Sequence, residues 1–476
     1  MNKNYDQSVS KLIEEWVSLS GSEYERNWKR ALSRFVIPEI YNKVRTEILN
    51  QSALITDVKY DYQVGLKKIV FSILWLLKWS WFKVFAQKTN VIVCSLNLSQ
   101  YNSVRYIDSI LDFSRKYKIT VVHFNSSLQF RHLFKLNLFC FPYSLFKFAG
   151  NKKGNTEILK GFEIELDQLC KKEFGFEFNG KGKLDNLFIR LNRMHLTFDE
   201  MVDKILKSSN KLEFYFTDGD FSSNKVLFNM SCTRRNIKTV SIDHSFIFNN
   251  SYHLNTFSEY NLVWGKYQAD RIEKYYDQKP REIIVVGKPK TVKKDSTYSL
   301  KGKSVVYYFS SFQNPLFQSV YRSLDYTLTM AHNIRNSIKS DFQQYKFFVK
   351  PHPADHINEK MKTEGFNIWG LDSKPSDEIC LVIAEDSSVC IDLLGFSTNI
   401  LYIKDSNNAD NIGFESNKSV CTMVCTDDFA EVFQKMKFGE NDVERNDMIE
   451  YYSGSDYDSK FRKALLFIIE DQSSLI

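Results

Sequence analysis

At 476 residues the chain is long for a single hydrophobic core, so two domains of ordinary size and an appendage are expected. Hydrophobic residues at 43% and charged residues at 25% exclude a disordered chain, and the net charge of +7 suits an anionic partner without naming one. That charge is dispersed and no aromatic-basic recognition module accompanies it, which sets nucleic acid aside.

Residues 1–88 read as a helical N-terminal region, with apolar residues at helical spacing in "SKLIEEWVSL" and "YERNWKRALSRFVIPEIYNKV". The opening residues contain no apolar run of signal-peptide length, so a cytoplasmic protein is expected. Residues 65–88, "GLKKIVFSILWLLKWSWFKVFAQK", interleave Trp75, Trp79 and Trp81 with Lys67, Lys68, Lys78 and Lys83. A helical wheel puts Leu66, Ile69, Val70, Ile73, Leu77 and Val84 on one face, with the lysines and several aromatics on the other. Lysines within the segment make a membrane span costly. A helix lying in the membrane interface suits the mixture, and packing on the first α/β domain is the alternative.

From residue 89 the pattern changes to strands alternating with helices. "NVIVCSLNLSQ" is a strand ending in a polar loop, "SVRYIDSILDFSRKYK" a helix and "ITVVHF" a second strand. A further unit runs through "KLEFYFTDGD", a helix starting near Ser222 or Ser223, and "KTVSIDH", followed by the strands "YNLVWGK" and "EIIVVGKPK". Residues 89–290 thus form one α/β domain with a parallel sheet covered on both faces. Residues 288–304 are polar and basic and read as a linker able to act as a hinge. The alternation restarts in "SVVYYFSS", a long helix around "SVYRSLDYTLTMAHNIRNSI", "KFFVKPHP", "ICLVIAED", a short helix and "NILYIKD", so residues 300–476 form a second doubly wound domain. The cysteines are scattered, and Cys421 and Cys425 lack the second pair that a zinc site needs, so buried free thiols are expected and no metal is assigned.

Ligands of such sheets bind at the carboxyl ends of the strands. Pro351 ends the run "YKFFVK" and holds His352 in a rigid loop at that edge, beside Pro353 and Lys350, and His352 and Lys350 are expected to supply positive charge to a bound phosphate. The strand "ICLVIA" runs into Glu385 and Asp386, and Ser387 and Ser388 stand at the start of the next helix, where hydroxyls and free amides favour a phosphate. A third edge loop holds Ser310, Ser311 and Phe312. These three loops are expected to meet at one crevice, with the His352 strand next to that of the serine pair. His253, His332 and His356 are scattered and read as surface or helix-face residues, and "CTRRN" at 232–236 as a solvated charge cluster.

"KPHP" together with "EDSSVCIDLLGFSTNILYIKD" resembles the C-terminal half of the GT-B superfamily that includes bacterial CDP-glycerol glycerophosphotransferases, capsule polysaccharide transferases and bacterial sialyl- and polysialyltransferases. Lys350, His352, Pro353, Ser387, Ser388, Asp392 and Asp405 occupy the positions that carry this resemblance, which covers residues 300–410. It implies two Rossmann-like domains facing a cleft, and a nucleotide-activated donor, often a cytidine nucleotide, whose phosphates rest on the histidine and the serine pair. In the first domain Asp243, His244 and Ser245 match the place of a Gln-His-Gly tripeptide without its glycine, and Thr217, Asp218 and Gly219 keep the second acid of a sialyltransferase-like acidic pair. The general base is therefore either His244 or Asp218. Asp218-Gly219-Asp220 approaches a metal-binding triplet, but Asp220 reads as a turn carboxylate. The activity implied is a metal-independent glycosyltransferase, without a cofactor beyond its nucleotide-sugar substrate, that extends a capsule or lipopolysaccharide glycan at the inner face of the cytoplasmic membrane. A CDP-polyol phosphotransferase, a nucleotide-sugar epimerase and a non-catalytic partner of a polymerase complex are the alternatives.

Overall fold

The computed structural model describes residues 5–50, 74, 77, 78, 80–87, 89–96, 101–124, 137–140, 157–178, 183–219, 223–242, 258–275, 279–289, 298, 299, 301–309, 324–352, 357–374, 376–384, 389–396, 399–404, 420–424, 427–436 and 442–471. Two sheets organise them. The first contains β1 (Asn90–Ser95), β2 (Thr120–His123), β3 (Leu138–Cys140), β4 (Lys211–Thr217), β5 (Lys238–Ile242), β6 (Tyr260–Val263) and β7 (Glu282–Val285), in the order β3-β2-β1-β4-β5-β6-β7. All its pairings are parallel. The second contains β8 (Ser304–Tyr308), β9 (Lys346–Lys350), β10 (Ile379–Ala384), β11 (Asn399–Lys404) and β12 (Val420–Val424), in the order β12-β11-β10-β8-β9, again parallel throughout.

Alternate residues of each strand feed separate cores, as the pleat requires. Val91, Val93 and Tyr215 face one core of the first sheet, while Ile92, Cys94, Phe214 and Phe216 face the other. Val305, Tyr307, Leu381 and Ile383 separate in the same way from Val306, Val382 and Ala384 in the second. Both sheets are therefore doubly wound.

The N-terminal helices α1 (Tyr5–Ser18) and α2 (Glu23–Lys43) are part of the first domain's core, contributing Trp16, Trp28, Val36 and Ile40. Ser22 caps α2 by accepting from the Glu25 amide at 3.2 Å, and the Glu25 carboxylate accepts from the Gly21 amide at 2.8 Å. A π turn, Val44–Ile48, follows. The short helix α3 (Phe82–Ala86) seats Phe82 and Ala86 in the same core. Two long helices escape the sequence reading, Glu157–Phe174 and Lys183–Ser208, and both pack on this face. Helix α4 (Tyr101–Tyr117) covers the opposite face.

The end of the chain departs from the expected boundary. The helix Asp442–Ser453 lies against the second core, but the last helix, Tyr457–Glu470, buries Phe461, Leu465 and Ile468 on the first sheet beside α4. Its C-terminus is held there by the Lys238 ammonium, which donates to the Ile468 carbonyl at 2.6 Å, and by Tyr260, whose hydroxyl donates to Asp471 at 2.5 Å. Residues 300–476 are thus not one packing unit. Cys94, Cys140, Cys170, Cys232, Cys380 and Cys390 are free and buried. The cluster "CTRRN" is not simply solvated either, because Arg235 donates to Asp203 and Asp199, both at 2.7 Å, and ties its turn to the helix Lys183–Ser208.

Candidate functional site

In the first sheet the strand order turns back between β1 and β4, and sheets of this type bind ligands at the carboxyl edge of such a switch point. Asp218 follows β4 directly and is fully buried. Its Oδ1 is ion-paired with the Lys225 ammonium and its Oδ2 accepts from the Ser103 hydroxyl. Ser103 and Lys225 are buried too, and each lies on the helix that follows one of the two strands. The carboxylate therefore binds the starts of both helices to the end of β4. Charge and hydrogen bonds compensate its burial, as an ionised group in the interior requires. His244 and Asp220 lie outside the described residues.

His123, at the end of β2, is a buried histidine at the same edge that the sequence reading passed over. The Leu96 amide donates to its Nε2 at 3.4 Å, joining the ends of β1 and β2. The available signal was a polar residue closing the apolar run "ITVV", the same signal that draws attention to His352.

In the second sheet the switch point lies between β8 and β10. The loops after these two strands carry Ser310 and Ser311, and Asp386, Ser387 and Ser388; all five lie outside the described residues, as do Pro353 and Asp405. Pro351 is buried and His352 exposed, so the strand does stop with the imidazole outward. However, β9 borders β8 and not β10. The strands of His352 and of the serine pair are therefore separated by one strand, about 10 Å between their axes. Lys350 leans toward the sheet's outer edge, where its ammonium donates to the Trp369 carbonyl at 3.1 Å. Residues 367–369 add a short extension to β9 there, through Val349 N–H to the Asn367 carbonyl and Trp369 N–H to the Val349 carbonyl, both 2.9 Å. Burial pushes the Lys350 ammonium below its ordinary range.

The two carboxyl edges meet. Lys288, two residues beyond β7's continuation at Val286, forms an ion pair with Asp392, in the first turn of the helix Val389–Leu393 that follows β10 and the serine pair. The Lys288 ammonium also sits 4.6 Å from the centre of the Trp264 ring, and its amide donates to the Ser453 carbonyl at 2.6 Å. Trp264 in turn donates through Nε1 to the Tyr106 hydroxyl at 2.8 Å and belongs to the core on one face of the second sheet. Arg45 of the π turn feels the second domain's charge. This guanidinium is buried, which lowers its affinity for the proton, while the Asp325 carboxylate of the helix Leu324–Asp341 acts in the opposite sense. Two doubly wound sheets, edges facing and last helix returned to the first, make the GT-B arrangement.

No known protein family's model matches the chain. An uncharacterized protein of Methanocaldococcus jannaschii is 25% identical over 210 residues, 42% of this chain and 36% of that protein, so the match spans about a third of the relative's length. Among solved structures, the chain is similar to a glycosyltransferase of Rickettsia africae (10% identity, 81% of this chain and 100% of that one, TM-score 0.45). It is likewise similar to the UDP-GlcNAc 2-epimerase of M. jannaschii in complex with UDP-GlcNAc and UDP (10%, 80% and 99%, 0.44) and to UGT71G1 of Medicago truncatula complexed with UDP-glucose (12%, 80% and 98%, 0.44).

Among the described residues no group of three or more His, Cys, Asp or Glu side chains stands close enough to hold a metal ion. The described part of the site is a frame of strand ends and helix starts. Lys225, Ser103, Lys288 and His123, none of them singled out in the sequence, fix that frame.

Proposed function

We propose that the protein is a glycosyltransferase that moves a sugar from a nucleotide-activated donor, CMP- or CDP-linked in the first instance, to a bacterial surface glycan such as capsule or lipopolysaccharide, working at the inner face of the cytoplasmic membrane. The observation that carries this reading is the Lys288–Asp392 pair, which joins the carboxyl edge of the first sheet to the helix following the serine pair of the second. The resemblance of "KPHP" and "EDSSVCIDLLGFSTNILYIKD" to surface-glycan transferases supports it from the sequence side.

The chemistry follows from charge. The acceptor hydroxyl gives its proton to a base as its oxygen bonds to the anomeric carbon, and the bond from that carbon to the donor phosphate breaks, leaving the electron pair on the nucleotide. Ser387, Ser388, Ser310, Ser311 and the His352 imidazole, with Lys350, Asp386 and Pro353 shaping the loops, are assigned to the donor phosphates, where positive charge and hydrogen-bond donors stabilise the leaving group. This stabilisation from protein groups is why the reading includes no metal. His244 is assigned as the base. Asp218, with both oxygens engaged by Lys225 and Ser103, is assigned to holding the acceptor side of the crevice.

The test is a thermal-shift screen with CMP, CDP, UDP, GDP and their sugars, followed by product analysis with and without a glycan acceptor. A nucleotide bound by the folded protein raises its melting temperature, and His352→Ala should remove that rise. Release of the nucleotide only when acceptor is present supports sugar transfer. Transfer of a polyol phosphate, or turnover of a nucleotide sugar without acceptor, replaces it with the phosphotransferase or the epimerase.

A further inference from the structure

Helix α3 and the residues just before it have two unlike sides. Lys78, Phe82 and Ala86, four residues apart, face the protein: Phe82 and Ala86 are buried, Phe82 lies edge-on to Phe139 with centroids 5.4 Å apart, and the Lys78 ammonium stands 5.6 Å from the centre of that same ring. Burial pushes Lys78 down to about 8. On the other side Leu77, Trp81 and Val84, at spacing i, i+4, i+7, share one face. Their exposures are 61%, 60% and 65%, against a buried opposite face. Of the aromatics, Trp81 lies with Leu77 and Val84 on the exposed side.

An outward apolar stripe over an anchored inner face asks for an occupant, and charge selects it. Residues 65–88 contain Lys67, Lys68, Lys78, Lys83 and Lys88 and no aspartate or glutamate. A second copy of the chain packed stripe to stripe would bring two such lysine sets together, which like-charge repulsion opposes. An anionic lipid surface meets both properties at once, taking Leu77, Trp81 and Val84 into its acyl boundary while its negative charge suits the segment's excess of lysines. Lysines within residues 65–88 make a span costly, so the contact is placed in the plane of the surface.

We infer that Leu77, Trp81 and Val84 form a docking face by which the protein binds an anionic bilayer surface reversibly. This deepens the proposed membrane location but does not depend on the reaction, since binding is measured without donor or acceptor. Its failure would leave the sugar-transfer reading standing, and the reverse also holds.

The experiment is co-sedimentation of the full chain with vesicles of phosphatidylcholine alone and of phosphatidylcholine with phosphatidylglycerol. The protein should sediment with the anionic vesicles, weaken with added salt, and bind the neutral vesicles less. Replacing the stripe together, Leu77→Ser, Trp81→Ser and Val84→Ser, should lower the partition by about tenfold or more, because burying a single large apolar side chain is already worth that factor. The melting temperature of this variant should be unchanged, since the three side chains point away from the core. Anionic-vesicle binding that is absent, or equal in the variant, overturns the inference. A dimer seen by light scattering and lost in the variant, without vesicle binding, assigns the stripe to self-association and overturns it too.

Discussion

Lys288 and Asp392 are 104 positions apart in the chain and form an ion pair across the two domains. The lysine lies where the chain leaves the first sheet, and the carboxylate on the helix that follows the serine pair. The polar stretch read as a free linker is therefore pinned at its first residue, with Trp264 beneath the ammonium and Ser453 accepting from its amide. Any rotation of one domain against the other has to break or carry this contact.

The two halves of this pair are not equal. The Lys288 side chain is 7% exposed and that of Asp392 28%. Asp392→Asn leaves a buried ammonium facing a neutral amide, a change that costs about 3–5 kcal/mol in buried pairs. Lys288→Met leaves a carboxylate that still reaches water and keeps an apolar chain against Trp264, so its cost should be smaller. Thermal unfolding of the two variants should show Asp392→Asn as the less stable, and the opposite ranking would refute this account of the contact.

Asp218 and His244 should separate in the same kind of measurement. Asp218→Asn weakens the pairing with Lys225 inside the protein and should lower the melting temperature markedly, by the same mechanism, and the double change Asp218→Asn with Lys225→Met should recover part of the loss. His244→Ala should leave melting and the nucleotide-induced shift intact while turnover falls by about 10²–10⁴-fold, the usual contribution of a general base. Full activity in His244→Ala would remove it as the base.

How much of this was legible beforehand depends on whether a feature is local. Strands such as Val91–Cys94 and Ile379–Ala384 stand out as apolar runs bounded by polar residues, and the stop at Pro351 with His352 outward follows from proline's fixed geometry. Which strand lies beside which is not local: nothing in "KFFVKPHP" or "ICLVIAED" says that β8 inserts between them. The return of the last helix was hidden for the same reason, because the amphipathic pattern of Tyr457–Glu470 shows that a face is buried but not on which sheet. Lys225 and Lys288 look like ordinary surface lysines until the fold brings Asp218 and Asp392 to them.

Acid sensitivity should trace in part to His195. The residue is buried on the helix Lys183–Ser208, with its ring edge-on to Trp28 at 5.8 Å. Burial lowers its affinity for the proton below the ordinary 6.5; Asp199 acts against this shift and Arg234 and Arg235 with it. The unfolded chain thus takes up the proton first as pH falls. Stability from this group is full above about pH 6.5 and declines below it, until the folded form is protonated as well. His195→Leu should flatten the dependence of melting temperature on pH between about 5 and 7 relative to the wild type. Equal slopes in the two proteins would show that His195 does not contribute.

The return crossing should tolerate little added bulk. A Cβ at Gly265 would stand 2.3 Å from the Tyr451 carbonyl oxygen, and one at Gly454 would stand 2.4 Å from that of Trp264, where the backbone already has a φ of +62°. Both obstacles are main chain, so no side-chain rotation relieves them. Gly265→Ala should force the helix Lys266–Tyr275 away from the helix Asp442–Ser453 and loosen the return of the chain to the first domain. Limited proteolysis should then cut near residues 454–456 faster than in the wild type, and Gly161→Ala, at a position with nothing within 4 Å of the added carbon, should leave the digestion unchanged. If Gly265→Ala and Gly161→Ala digest alike, the tight crossing does not hold the two domains together.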